Sequence, residues 1–290
     1  MRKLKVVFLI CISYLSLLNK ASSLEIIRDV ELENFTKEIV TSLVSDNEID
    51  LDEINYYFIK SREINAFVTS GNNLFINTEI LISANDYREY AAVLAHELAH
   101  ILGGHVVRTK QEIDNLGSRA FPIYVLGILG ILGGSADAGM ATLMVGSASV
   151  QDGYTYYSRT QEASADQVAV RLLCNNKIDG SYLLDFLNKI DKIIPYSPDQ
   201  TSYRSTHPMV SERTTWVESA LINQKNNCTF SQDKNLQNEF LLLKAKLFGF
   251  THSNDETYAV YQNDGDIDKY AKAVASYLSQ TETMMIQLIY

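Results

Sequence analysis

Apolar positions recur at helical spacing through residues 29–45, where Val30, Leu32, Phe35, Ile39, Val40 and Leu43 share a face, and this predicts an amphipathic helix. The pattern then changes. Ile54 to Ile59 is aromatic and β-branched, and Ile64 to Thr69 and Leu74 to Asn77 flank the turn signal Gly71-Asn72-Asn73. Two short strands joined by a tight turn are expected there. Helical period returns over 86–107, with Asn85 or Asp86 as N-cap. Further helices are predicted at 161–174, 181–190, Pro208 to about Ile222, 235–248 and 266–279. The Asn- and Lys-rich stretch 223–235 is the best linker candidate.

Two segments break the pattern. Arg2, Lys3 and Lys5, the apolar run Val6 to Leu18 and the small residues Ala21-Ser22-Ser23 have the layout of a secretory signal peptide over residues 1–23. Residues 121–150 hold one charge, Asp137, and six glycines. Each half is short for a membrane span, which needs ~20 residues. Three readings stay open for this segment: a buried or interface-forming helical pair, an apolar flap over a site, or a peripheral contact with a membrane.

Composition narrows the function. Of 290 residues 46% are apolar and 21% charged, values of an ordinary globular chain. With 25 basic and 35 acidic residues the net charge is −10, which argues against nucleic acid and against docking on anionic lipid. Export would make the compartment oxidising. Cys174 and Cys228 would then form a disulfide, or Cys174, on an apolar helical stripe, would stay a buried thiol.

The chemistry concentrates in three places. His96-Glu97-Leu98-Ala99-His100 is an HExxH motif on a predicted helix. At about 100° per residue the two histidines are about 400° apart, so both imidazoles project from one face one turn apart and can grip one metal ion. Zinc in such a site acidifies its water toward a pKa of ~7, and Glu97 projects where it can reach that water. A third protein ligand is needed. His105 is one candidate, but on a continuing helix it points away from His96. Glu162 is the better one, and Asp166, four residues on, shares its face and can accept a histidine N–H. Finally, Thr206-His207-Pro208 would set His207 at a helix N-terminus, where the dipole keeps the ring neutral. There it could donate to a developing oxyanion or coordinate the metal itself.

These residues resemble a known family. HELAH at 96–100, ExxxD at 162–166 and Thr-His-Pro followed by Arg213 are similar to the gluzincin peptidases related to the CAAX prenyl endopeptidase, in their secreted bacterial branch. The likeness extends over roughly residues 25–280 and includes the strand pair before the zinc helix and Tyr157-Ser158-Arg159 before Glu162. It implies a zincin-like α+β fold, mostly helical around a small sheet with a hairpin edge strand, followed by a short helical C-terminal tail. It implies one Zn2+ per chain on His96, His100 and Glu162, Glu97 as base with His207 assisting, and Asp166 and Arg213 behind the ligands. It also implies substrate backbone along Asn65, Ala66 and Phe67 by strand addition. The expected layout is a signal peptide at 1–23, a metallopeptidase domain at 24–230 and a helical tail at 231–290. The activity implied is endoproteolysis of unfolded or misfolded envelope polypeptides, in the periplasm of a Gram-negative bacterium. The alternative is a latent protease acting as a chaperone for outer-membrane proteins. Members of the branch continue into a tetratricopeptide domain that docks on the outer-membrane assembly machinery. This chain has room for about one such unit, where solenoids need ~3, so the tail reads as a shortened start of that domain.

Overall fold

The structure is a computed structural model that describes residues 25–44, 50–69, 71–105, 151–193, 207, 210–224 and 228–289. The signal-peptide segment 1–23 and the apolar segment 121–150 lie outside the described residues. The order is β1 (Ile26–Ile27), α1 (Val30–Leu43), β2 (Asn55–Ile59), β3 (Ala66–Thr69), β4 (Asn73–Asn77), α2 (Thr78–Ser83), α3 (Tyr87–Leu102), α4 (Gln151–Asn175), α5 (Ser181–Ile193), α6 (Val210–Gln224), α7 (Lys234–Thr251), α8 (Asn254–Val260) and α9 (Asp266–Ile289). This is the expected α+β architecture. The short elements β1, α2 and α8 carry too few residues to display a period, so the hydrophobic pattern does not predict them.

The sheet runs β1-β2-β4-β3. β1 pairs with β2 and β3 with β4 antiparallel, whereas β2 and β4 are parallel. The β3–β4 hairpin closes through two left-handed residues, Gly71 at φ 83° and Asn72 at φ 53°, which is the turn chemistry the Gly-Asn pair offers. Because β4 bonds to β2 on its other side, β3 is the edge of the sheet among the described residues. Asn77 N–H donates to Asn65 O at 2.9 Å, so the carbonyl one residue on, at Ala66, faces away from β4.

One face of the sheet packs on helices. Phe58, Ala66, Leu74 and Ile76 meet Leu32, Phe35 and Ile39 of α1 and Tyr90, Val93 and Leu94 of α3 in a single core. Phe35 lies between Tyr90 and Phe240 of α7, with ring centroids 6.2 and 6.4 Å away. Helix α3 is the centre of the molecule. It starts at the Asp86 cap, whose carboxylate accepts from Arg88 N–H, and is buried on every side from Tyr90 to Ala99. A helix buried all round must satisfy any polar side chain internally. Glu89 does so near its start, with Lys189 of α5 and Asn85.

The helix is shorter than the 86–107 expected. It ends at Leu102, and Gly103 and left-handed Gly104 (φ 59°) turn the chain. Cys174, at the end of α4, and Cys228, ahead of α7, form a disulfide with their Cα atoms 5.4 Å apart. Among the described residues no helix is long and apolar enough to cross a membrane.

Candidate metal centre

Helix α3 supplies His96, Glu97 and His100. Helix α4, packed against it, brings Glu162 and Asp166 one turn apart, and the first turn of α6 brings Arg213. His207 arrives from the chain just ahead of α6. His96, Glu97, Glu162, Asp166, His207 and Arg213 are all buried.

The nitrogens and oxygens converge. His96 Nε2 lies 3.0 Å from His100 Nε2 and 3.3 Å from Glu162 Oε2, and His100 Nε2 lies 3.3 Å from Glu162 Oε1. His207 Nδ1 closes the group, 3.3 Å from His96 Nε2 and 3.1 Å from Glu162 Oε1. One donor atom from each of these four residues falls within 4.8 Å of the others. Four ligands about 2.0–2.1 Å from a tetrahedral ion would be about 3.3–3.4 Å apart. The observed spacings, 3.0–3.3 Å, come close to that figure. Three imidazole lone pairs and a carboxylate facing one another repel unless a proton or cation sits among them.

The surroundings favour positive charge there. Burial and the nearby Arg213 push His96 down, yet Asp166 and Glu162 outweigh them and raise it to about 9. Its neighbour His100 is pushed down to about 3 by burial. Burial would raise Glu162, but Arg213 and the imidazoles hold it well below the usual carboxylate range. Asp166 is likewise held low against its burial, chiefly by Arg213. Burial raises Glu97. Neither of its carboxylate oxygens takes a hydrogen bond, and His207 Nε2 stands 3.3 Å from Oε1. A buried carboxylate with no hydrogen bond is costly to keep, which marks it as a group held for chemistry.

Each of the three converging histidines is tethered through its other nitrogen. His96 Nδ1 is 3.0 Å from Asp166 Oδ1. Arg213 fixes that aspartate with two bonds, Nε to Oδ2 at 2.9 Å and Nη2 to Oδ1 at 2.7 Å, and its Nη1 lies 3.0 Å from Glu162 Oε2. His207 Nε2 lies 3.0 Å from Ala66 O, so with its proton on Nε2 it donates to the outward carbonyl of edge strand β3 and turns the lone pair of Nδ1 toward the donor cluster. His100 Nδ1 faces His105 Nδ1 at 3.0 Å. His105, weighed above as a third ligand, is not among the converging donors. It sits behind His100, because the chain turns at Gly103-Gly104 and does not continue as the helix that the period predicts. A Gly-Gly pair after a helical run is a stop signal, and it accounts for the helix ending at Leu102. Of the three strand positions singled out, Asn65 and Ala66 are buried and Phe67 is half-buried, its ring stacked on Phe75 at 5.1 Å.

A buried His/His/Glu cluster shared by two packed helices beside an edge strand is the arrangement of a metallopeptidase. The profile of Peptidase family M48 matches residues 31–220, and the chain belongs to that family. It is 25% identical to the Beta-barrel assembly-enhancing protease of Escherichia coli K12 over 236 residues, 80% of this chain and 46% of that protein. It is 27% identical to Metalloprotease LoiP of the same strain over 167 residues, 58% of this chain and 62% of the relative. The human mitochondrial Metalloendopeptidase OMA1 is 26% identical over 191 residues, 63% of this chain and 36% of that protein. The chain spans about half the length of the β-barrel assembly-enhancing proteases it matches.

Proposed function

We propose that the protein is a zinc endopeptidase acting on unfolded or unassembled envelope polypeptides in the periplasm. The observation that carries the reading is the convergence of His96, His100 and Glu162 beside a buried Glu97 that has no hydrogen bond. When bound, zinc acidifies a water and polarises the scissile carbonyl. The chain's own residues do the rest. An extended substrate lies along β3, its backbone paired to the outward groups of Ala66, with Asn65 and Phe67 flanking. Glu97 takes the proton of the attacking water at a carboxylate oxygen and passes it to the leaving amide nitrogen. Burial raises its pKa, which favours the proton uptake that this role needs. Asp166, backed by Arg213, keeps His96 in one tautomer.

The names of the relatives support an envelope client, and the signal-like residues 1–23 support export. The wider kinship with the CAAX prenyl endopeptidase, docking of the 231–290 tail on an outer-membrane assembly machinery, and membrane contact through 121–150 belong to the same proposal. The test is cleavage of unfolded casein by the full chain with and without a chelator, alongside Glu97→Gln. Chelator-sensitive cleavage by the native chain, with Glu97→Gln inactive but still holding one zinc, is the expected outcome. Undiminished turnover in Glu97→Gln would remove the basis of the reading.

One observation favours a second reading, a latent enzyme that holds clients more than it cuts them. His207 Nδ1 completes a four-donor set, and a closed set of protein ligands leaves no position for water or substrate. Its other nitrogen occupies the Ala66 carbonyl that a substrate strand would need. His207→Ala separates the readings. Faster casein cleavage means that His207 closes the site, and slower cleavage means that it assists the reaction.

A further inference from the structure

His105 is a buried histidine that neither reading uses. It is 5% exposed, and its ring meets that of His100 nearly edge-on, centroids 5.0 Å apart and planes at 80°. Its place is built by the backbone. Gly103 leaves room for the ring, since a Cβ there would stand 2.4 Å from His105 Nε2, and Gly104 takes the left-handed conformation that swings the chain back. Gln161 Nε2 donates to the His105 carbonyl at 3.4 Å, from the residue next to Glu162.

Two ring nitrogens 3.0 Å apart share one proton. His100 directs Nε2 at the converging donors, so that nitrogen must carry a lone pair whenever the residue holds an ion. A neutral imidazole has one N–H, which places the proton of His100 on Nδ1. His105 Nδ1 is then the acceptor, and its own proton is on Nε2. We propose that His105 is a positioning residue for His100: an acceptor, presented by the Gly103-Gly104 turn, that fixes the tautomer and the orientation of the ring. His96 has the same support from a carboxylate, Asp166. The two histidines of the motif are therefore held by acceptors of different kinds, one charged and one neutral. The inference rests on the reading that His96, His100 and Glu162 hold the metal.

The test uses the full chain with His105→Asn, whose Oδ1 stands near the position of Nδ1, and His105→Phe, which keeps bulk without an acceptor. Zinc affinity is read by competition with a chromophoric chelator, and the ligand field by the absorption of the Co2+-substituted protein. Partners of this kind are typically worth about 10–100-fold in metal affinity. His105→Phe should lose that much and show an altered cobalt spectrum, while His105→Asn stays within about threefold of the native chain, with equal melting temperatures for the two metal-free variants. Native affinity in His105→Phe, or equal losses in both variants, would overturn the proposal. A long-range 1H–15N spectrum of the zinc-loaded native protein reads the tautomers without any variant. It should show His100 protonated on Nδ1 and His105 on Nε2; His105 protonated on Nδ1 would overturn the assignment. A native chain that binds no zinc would instead overturn the underlying metal reading and this proposal with it.

Discussion

Replacing Arg213 by methionine removes the cation that lies between two buried carboxylates. The guanidinium is fully buried, bonded twice to Asp166 and 3.0 Å from Glu162 Oε2. Methionine keeps much of the volume, so the loss is chiefly electrostatic. Removing one partner of a buried pair costs about 3–5 kcal/mol, because the other charge is left uncompensated. At about 2–4 °C per kcal/mol for a domain of this size, the melting temperature of the metal-free protein should fall by about 6–20 °C. The pH dependence carries a sign. In the native protein Asp166 is held below its ordinary value, mainly by Arg213 acting against burial, so its contribution is present above that value and lost as the solution is acidified. Without Arg213, burial is opposed only by His96, so the same carboxyl is protonated more readily as the solution is acidified. The deficit should therefore be largest near pH 8 and shrink toward pH 5. Urea unfolding of chelator-treated native, Arg213→Met, Asp166→Asn and double variants at both pH values measures the terms and their coupling. A deficit below about 1 kcal/mol at pH 8, or one that grows on acidification, would refute the account.

Other perturbations test other parts of the molecule. The Cys174–Cys228 bridge spans a sequence separation of 54, so Cys174→Ser/Cys228→Ser should cost about 4 kcal/mol by loop entropy, read by denaturant unfolding. A loss under about 1 kcal/mol would show that the unfolded chain does not gain that freedom. Gly103→Ala should cost about 1–3 kcal/mol by overpacking against the His105 ring and weaken zinc binding. Gly104→Ala, with nothing near the new Cβ, should cost about 1–2 kcal/mol of backbone strain and leave zinc binding alone. Equal zinc affinities in the two variants would contradict the role given to the turn. Burial raises Glu79 to about 7, and its Oε2 takes no hydrogen bond. The folded state therefore prefers the protonated form, and stability falls as pH rises from the ordinary carboxylate range toward 7. Glu79→Gln should gain about 1 kcal/mol at pH 8, a figure reduced for its partial exposure, and nothing at pH 4, by thermal melting.

Local pattern alone determined much of this protein. The period of α1 and α3, the Gly-Asn turn between β3 and β4, the i, i+4 pairing of His96 with His100 and of Glu162 with Asp166 all follow from rules that act within one or two turns of chain. The metallopeptidase class was legible for the same reason, since HExxH is a local constellation. Periodicity alone overruns the end of α3, which the Gly103-Gly104 pair stops at Leu102, and it is silent on elements too short to show a period, such as α2 and α8. The rest needed the tertiary structure, because it depends on groups far apart in sequence. That His207 reaches both the donor cluster and the Ala66 carbonyl, 141 residues away, follows from how the segment ahead of α6 meets β3. That β3 is an edge follows from the β2–β4 pairing, and that Cys174 meets Cys228 follows from how α4 and the approach to α7 lie. Sequence supplies side-chain chemistry and local periodicity. Which buried groups face one another is set by packing, where burial strengthens every charge interaction and so decides which protons and cations the site will hold.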